Sequence, residues 1–270
     1  MSRNITAFWH KASFDQLMTA RLPQLLADRL PLNDCHFVST GSYTCQVKIS
    51  LATSSGNVEV VYTDIPCPDE EGAFKIDGEH YVIVPIASHE ELDTAEIKCV
   101  GEQLYDNFEV RLEGVSSDLP WSASLLESRV PLNTWVREFI LDRTWDNRLQ
   151  ERNWLDKHTH LRRVRVLWRE KVYNPGHFGR VCPFEMPEGP NVGKILSIAV
   201  GAEIRNGKLV IVEHQSDSVL GLTATTMPFL EHNDANRQLM GVNMMRQCFI
   251  PSDPEPALVQ TGNEPNVPDF

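Results

Sequence analysis

Apolar residues change period along this chain, and each change predicts a change of element. Phe14, Leu17, Met18, Leu25 and Leu26 recur at helical spacing behind Ser13, a good capping residue, so the first segment predicts a helix that Pro23 splits or kinks. From His36 the period shortens. Cys45, Val47, Ile49 and Leu51 alternate with polar residues, Ser54-Ser55-Gly56-Asn57 supplies a turn, and Val58, Val60 and Tyr62 alternate again, which predicts a hairpin. A second hairpin is predicted from Ala73 to Val84, with Asp77-Gly78 as a type I′ turn. Residues 114–133, rich in Ser, Leu and Pro, read as a linker. Val136, Phe139 and Ile140 then share one face of a helix expected from Trp135 to about Asn153, with Asn133 as its cap. Apolar residues alternate with arginines from Val164 to Trp168, a strand with one basic face, and Asn206-Gly207 centres a short hairpin. The expected fold class is α+β, with a β-rich domain over 1–125 and a mixed domain of strands, loops and two helices over 126–270.

Composition narrows the function classes. The chain has 270 residues, 41% hydrophobic and 23% charged, which suits a soluble globular protein of one large or two small domains. Its formal net charge of -12 argues against a general nucleic-acid coat, because polyanions are bound by basic surfaces. Contact with DNA or RNA must then come from a local patch. Arg162, Arg163, Arg165 and Arg169, with Lys157, His158 and His160 beside them, form the one basic cluster. A solvated charged face explains such a run equally well. There is no apolar run of membrane-spanning length and no signal-peptide core, which predicts no membrane partner and a cytoplasmic location. The six cysteines form no C-x-x-C pair and show no zinc spacing, so reduced, buried thiols are expected. No internal repeats are present.

Two motifs carry a family resemblance. Gly179-Arg180-Val181-Cys182-Pro183-Phe184-Glu185-Met186-Pro187-Glu188-Gly189-Pro190-Asn191-Val192-Gly193 is the first, and the stretch from Met227 to Gln247, with Asn233-Asp234-Ala235-Asn236-Arg237 at its centre, is the second. Both resemble the bacterial DNA-directed RNA polymerase β (second-largest) subunit beside its catalytic centre, and they stand in the family's order. Weaker matches flank them. Asp64-Ile65-Pro66 with the segment from Glu71 to Val84 is similar to the family's protrusion, and Asn153 to Leu167 is similar to the segment that lines the RNA side of the cleft. Pro256 to Glu264 resembles a further family stretch, P-L-V-G-T-G-M-E. The resemblance implies a protrusion-like domain followed by a fork-like domain, a reduced form of the N-terminal half of that subunit.

It also implies roles. Arg237 matches a family Arg that contacts the triphosphate of the incoming nucleotide; its place at a helix start, where free N–H groups favour anions, suits that role. A structural alternative pairs Arg237 with Glu231 or Asp234 to fix the loop. Pro187, Glu188 and Asn191 belong to a loop that two prolines and a glycine should keep rigid and non-helical, and in the family it runs along the RNA–DNA hybrid. His160 and Arg163 are the candidates for backbone contact in the basic cluster. Asn243, Arg246 and Gln247 match family positions facing nucleic acid, while Met240, Met244 and Met245 read as core filler.

The sequence also departs from the family. Met186 replaces a Thr, Lys194 a Leu and Asn233 an Asp, and the fork loop shrinks to about Trp168-Arg169-Glu170-Lys171. The family's second-metal N-x-E-D stretch, its catalytic lysines and the largest subunit's D-F-D-G-D motif have no counterpart in this sequence. Phosphoryl transfer needs metal ions to neutralise phosphate charge. No catalytic or metal-ligating residue is therefore assigned, and magnesium is expected only within a composite polymerase site. Three readings follow: a polymerase β-like protein that binds nucleic acid or polymerase components, above all the largest subunit, without catalysis of its own; a genuine subunit of a split polymerase; or a scaffold that keeps the motif residues for packing.

Overall fold

The structure, a computed structural model, describes residues 5–53, 56–117, 119–142, 147–167, 174–215 and 217–249. The chain is α+β, and its contacts divide it into two compact units. Phe8–Ile83 with Cys99–Arg148 form the first; Met1–Ala7, Val84–Lys98 and Leu149–Phe270 form the second. Each unit is built from separate stretches, so the boundary does not fall at a single cut near residue 125. The reason lies in the helices of the expected linker region and beyond, whose apolar faces complete the core of the first unit.

That core forms around a three-stranded antiparallel sheet, β1 (Leu32–Ser39), β2 (Thr44–Thr53) and β3 (Gly56–Pro66), in that order. The alternation read from the sequence sets its inner face: Cys45, Val47, Ile49 and Leu51 of β2 are all buried, as are Val60, Tyr62 and Ile65 of β3. β4 (Phe74–Ile76) and β5 (Glu79–Tyr81) make the second hairpin, with Asp77 at φ 52° and Gly78 at φ 85°, as a type I′ turn requires.

The first helical segment begins earlier than Ser13. It runs as α1 (Trp9–Gln16), a π-helical turn (Leu17–Arg21) and α2 (Leu22–Ala27). Pro23 sits at the start of α2, where its missing N–H and fixed φ are tolerated. Ser13 lies inside α1 and serves another helix. Its hydroxyl donates to Glu102 at 2.7 Å and accepts the Gly101 N–H at 2.8 Å, at the start of α3 (Val100–Arg111). A Cβ on Gly101 would meet the Ser13 carbonyl oxygen at 2.1 Å, so this close approach requires glycine.

The expected linker contains α4 (Ala123–Arg129), capped by the Ser122 hydroxyl accepting the Leu125 N–H at 3.2 Å. The next helix, α5, spans Leu132–Ile140, with Pro131 at its cap position and Asn133 inside it. It stops thirteen residues short of Asn153 because the buried Asn147 side chain donates to the Ile140 carbonyl at 3.1 Å, satisfying the helix end. Leu126, Val136 and Ile140 join Phe14, Leu17, Phe74, Leu104 and Phe108 in one core.

The second unit has a four-stranded sheet, β7 (Ile97–Lys98), β6 (Ile86–Ala87), β8 (Arg163–Val166) and β9 (Ile195–Ser197), in the spatial order β7-β6-β8-β9. Only β6 and β8 are parallel. α6 (Trp154–Leu161) precedes β8, and β10 (Ala202–Arg205) and β11 (Lys208–Ile211) form a hairpin turning at Asn206 (φ 50°) and Gly207 (φ 69°). α7 (Leu222–Thr225) and α8 (Ala235–Gln247) follow. The fork-loop segment at 168–171 and the motif at 256–264 lie outside the described residues. No described helix is long and apolar enough to cross a membrane.

Gly101→Ala should lower the stability of the chain by about 1–3 kcal/mol, because the added carbon forces α1 and α3 apart. Chemical denaturation measures this; an unchanged midpoint would show that the contact between Ser13 and α3 carries no strain.

Candidate nucleic-acid interface

Among the described residues of the second unit, two arginines and two glutamates are buried: Arg162 (1% exposed), Arg246 (7%), Glu185 (0%) and Glu203 (6%). Charges this deep persist only where other groups satisfy them. Arg162 donates to the carbonyls of Ala199 (2.7 Å) and Ala202 (2.8 Å) and to that of Ile5 (3.3 Å). Burial pulls its pKa down to about 10, opposed by the charges of Glu203 and Glu185.

Glu185 accepts the N–H of Ala224 in α7 at 2.7 Å. Burial raises its pKa, while the Ala224 N–H and the Arg246 guanidinium oppose the shift. Gly221, at the cap of α7, leaves room for this carboxylate: a Cβ there would lie 2.4 Å from its carbon. The Cys182 sulfur accepts the N–H groups of Phe184 and Glu185, both at 3.4 Å, and burial pushes its thiol up to about 12, so it is a structural and unreactive group.

This buried frame carries a polar surface. Past Glu185 the chain emerges as Pro187-Glu188-Gly189-Pro190-Asn191, with Glu188 and Asn191 exposed. The loop is not wholly non-helical, as its prolines and glycine had suggested: Gly189–Asn191 wind into a 3-10 turn, entered through Gly189 at φ 84°. Asn243 of α8 donates to Glu188 at 3.3 Å, and its amide oxygen accepts from Arg246. A chain of polar contacts thus runs from exposed Glu188 through Asn243 and Arg246 towards buried Glu185.

Arg237 stands at the start of the same helix. Asp234 caps α8 by accepting the Arg237 backbone N–H at 2.8 Å, so the link to Asp234 goes through the main chain. The guanidinium itself is exposed and donates to the sulfur of Met240 at 3.6 Å. Among the described residues it forms no ion pair with Glu231 or Asp234, and Glu231 instead lies 3.7 Å from His232. The structural alternative for the Arg237 side chain therefore has no contact behind it. Gln247, in the last turn of α8, is exposed.

The other candidates lie elsewhere. His160 is 3% exposed, and its Nδ1 accepts the Gln150 N–H at 2.9 Å; a ring so buried braces α6 and does not meet a polymer at the surface. Arg163 is half-buried on β8 and donates to the Gln150 side chain at 2.9 Å. The basic cluster is thus no uniform face, since Arg162 points into the core and Arg163 and Arg165 are only half-exposed. Of the methionines, Met240 and Met244 are exposed, 40% and 60%, and are not core filler; Met245 packs partly against Leu155 and Leu222.

Sequence reasoning assigned no role to Glu185 or Asn153. Asn153 caps α6 by accepting the Asp156 N–H at 2.9 Å and donates to the carbonyls of Met245 (2.9 Å) and Cys248 (2.7 Å), tying the end of α8 to the start of α6. A lone Glu between Phe184 and Met186, in an otherwise apolar and proline-bounded run, was the available signal for Glu185.

Residues 148–204 match the family model of RNA polymerase Rpb2, domain 3. The match covers α6, β8, the Pro187–Asn191 loop, β9 and part of β10, and it marks this stretch as a region like the second-largest RNA polymerase subunit.

Because the folded state holds a proton on Glu185 above the usual carboxylate range of about 4.5, folding binds that proton and the contribution weakens as pH rises through the window. The unfolding free energy of wild type minus that of Glu185→Gln should therefore fall from pH 4 towards neutrality. A difference independent of pH would mean that Glu185 ionises normally in the fold.

Proposed function

We propose that this chain works in transcription as an RNA polymerase second-largest-subunit-like component, binding an RNA–DNA hybrid and the largest polymerase subunit without independent catalysis. The observation that carries the reading is an exposed Arg237 at the start of α8, with no ion pair among the described residues, on the same helix whose Asn243 reaches Glu188 of the Pro187–Asn191 loop. The family match to 148–204 includes the loop and supports the same direction.

The chemistry divides by residue. The Arg237 guanidinium offers planar, charge-assisted donors beside the free N–H groups of a helix start, which suits phosphate oxygens. Glu188 is an acceptor only and would repel phosphate, so its partners are sugar hydroxyls or base amino groups. Asn191 can donate or accept, and Gln247 adds a further amide on α8. The formal net charge of -12 means that such binding depends on these few groups and not on long-range attraction. Metal-held phosphoryl transfer is assigned to the carboxylates of another subunit, and magnesium to that composite site.

The scaffold reading keeps one specific support. His160, Arg162 and Arg246, all within the matching motifs, are buried and used for packing.

Arg237→Ala separates the two. Tagged chain purified with its co-assembled polymerase subunits should show an apparent KM for nucleotides raised roughly ten-fold or more, since hydrogen bonds to charged groups are worth about 1.5–3 kcal/mol. Melting of the isolated variant should be unchanged, because the Asp234 cap uses the backbone N–H. Lowered stability with unchanged nucleotide dependence would favour the scaffold, as would purification without any polymerase subunit.

A further inference from the structure

Phe229 is out of place by two physical measures. Its φ of 54° lies in the left-handed region, which a bulky side chain occupies at a cost. Its ring is 59% exposed, while Met227 and Leu230 beside it in the chain pack against the apolar cluster of Cys182, Ala224 and Val242. Glycine would take the same φ without strain, so the turn alone does not call for phenylalanine.

The exposed ring has company. It stacks on the His232 imidazole, with centroids 5.7 Å apart and planes 21° apart, and His232 is exposed as well. The backbone beneath the pair is braced. Leu230–His232 form a 3-10 turn, and the Asn233 side chain donates to the Phe229 carbonyl at 3.3 Å. Gln238 of α8 donates to the carbonyls of Leu230 (2.7 Å) and Asn233 (3.1 Å), tying the turn to the helix. Arg237 precedes Gln238, so one braced piece of chain carries both the rings and the exposed guanidinium.

We propose that the Phe229–His232 pair is a stacking platform for an unpaired nucleobase whose phosphate is taken by Arg237. The inference rests on the nucleic-acid reading above and narrows it. Phenylalanine and histidine rings both stack on the π-face of a base. Inside a hybrid both faces of each base are covered by its neighbours, so the platform meets only an unpaired nucleotide or the last pair of the duplex. The occupant is a strand end or a free nucleotide. Stacking adds little sequence preference, because every base has a π-face. The Glu231 carboxylate, 3.7 Å from His232 Nε2, would repel phosphate, which leaves that group to Arg237.

The test is binding of the full chain, at low salt, to fluorescent RNA–DNA hybrids that are blunt, end in two unpaired nucleotides, or end in two abasic ones. The expected result is roughly ten-fold tighter binding of the unpaired end than of the blunt one, with the abasic end binding like the blunt. Phe229→Gly removes that preference, keeps the affinity for the blunt hybrid and does not lower the melting temperature, because glycine accepts φ 54°. Phe229→Trp keeps the preference. If excess nucleoside triphosphate abolishes the preference, the occupant is a free nucleotide; if the preference survives, it is a strand end. Equal binding of all the hybrids by the wild type overturns the platform and leaves the hybrid reading standing, whereas binding of none overturns both. A Phe229→Gly chain that keeps the preference, or loses it only together with its fold, also overturns the platform.

Discussion

The second unit depends on charge that water cannot reach. Arg162 and Glu185 are fully buried, and Arg246 and Glu203 nearly so. Each of these groups would be costly to bury alone, whether ionised or, for Glu185, holding its proton, so each needs partners of fixed geometry. Arg162 takes its partners from two separate stretches of chain, Ile5 in one and Ala199 and Ala202 in the other. Glu185 takes the first turn of α7, through Ala224. Removing the Arg162 guanidinium would leave the Ala199 and Ala202 carbonyls without these donors. These contacts specify one arrangement of segments that apolar packing alone would leave free to slide.

The exposed polar surface follows from that constraint. Glu185 is held two residues before the Pro187–Asn191 loop by the Ala224 N–H, and Arg246 positions the Asn243 amide on α8. Asn243 closes the contact to Glu188, while Asn153 holds the far end of α8 by two carbonyls. The Asp234 cap satisfies the start of α8 within its own first turn, and Asn153 ties its finish to α6.

Much of this was legible in the sequence, and the rest fails for physical reasons. The hairpins were readable because period-two alternation and the Asp77-Gly78 and Asn206-Gly207 turns are local signals. A helix start near Arg237 was readable too, though its Asp234 cap was not named. α4 and the true ends of α5 were not, since they depend on Ser122 and on Asn147 reaching a carbonyl seven residues back. Most misleading was the basic run at 157–169. Charge along a chain suggests solvent, yet His160 and Arg162 are buried by acceptors distant in sequence or by neighbouring backbone. Arg237 shows the reverse case: its side chain could have been spent on Glu231 or Asp234, and only the structure shows it free of both.

The proposed function places the Pro187–Asn191 loop and α8 against an RNA–DNA hybrid. The most direct measurement is photo-crosslinking of a hybrid carrying 4-thiouridine in its RNA strand to the chain in its native assembly, with the linked peptides identified by mass spectrometry. The account predicts crosslinks within 187–191 and 235–247. Crosslinks confined to the sheet of the first unit, or none under conditions where the assembly binds the hybrid, would contradict it.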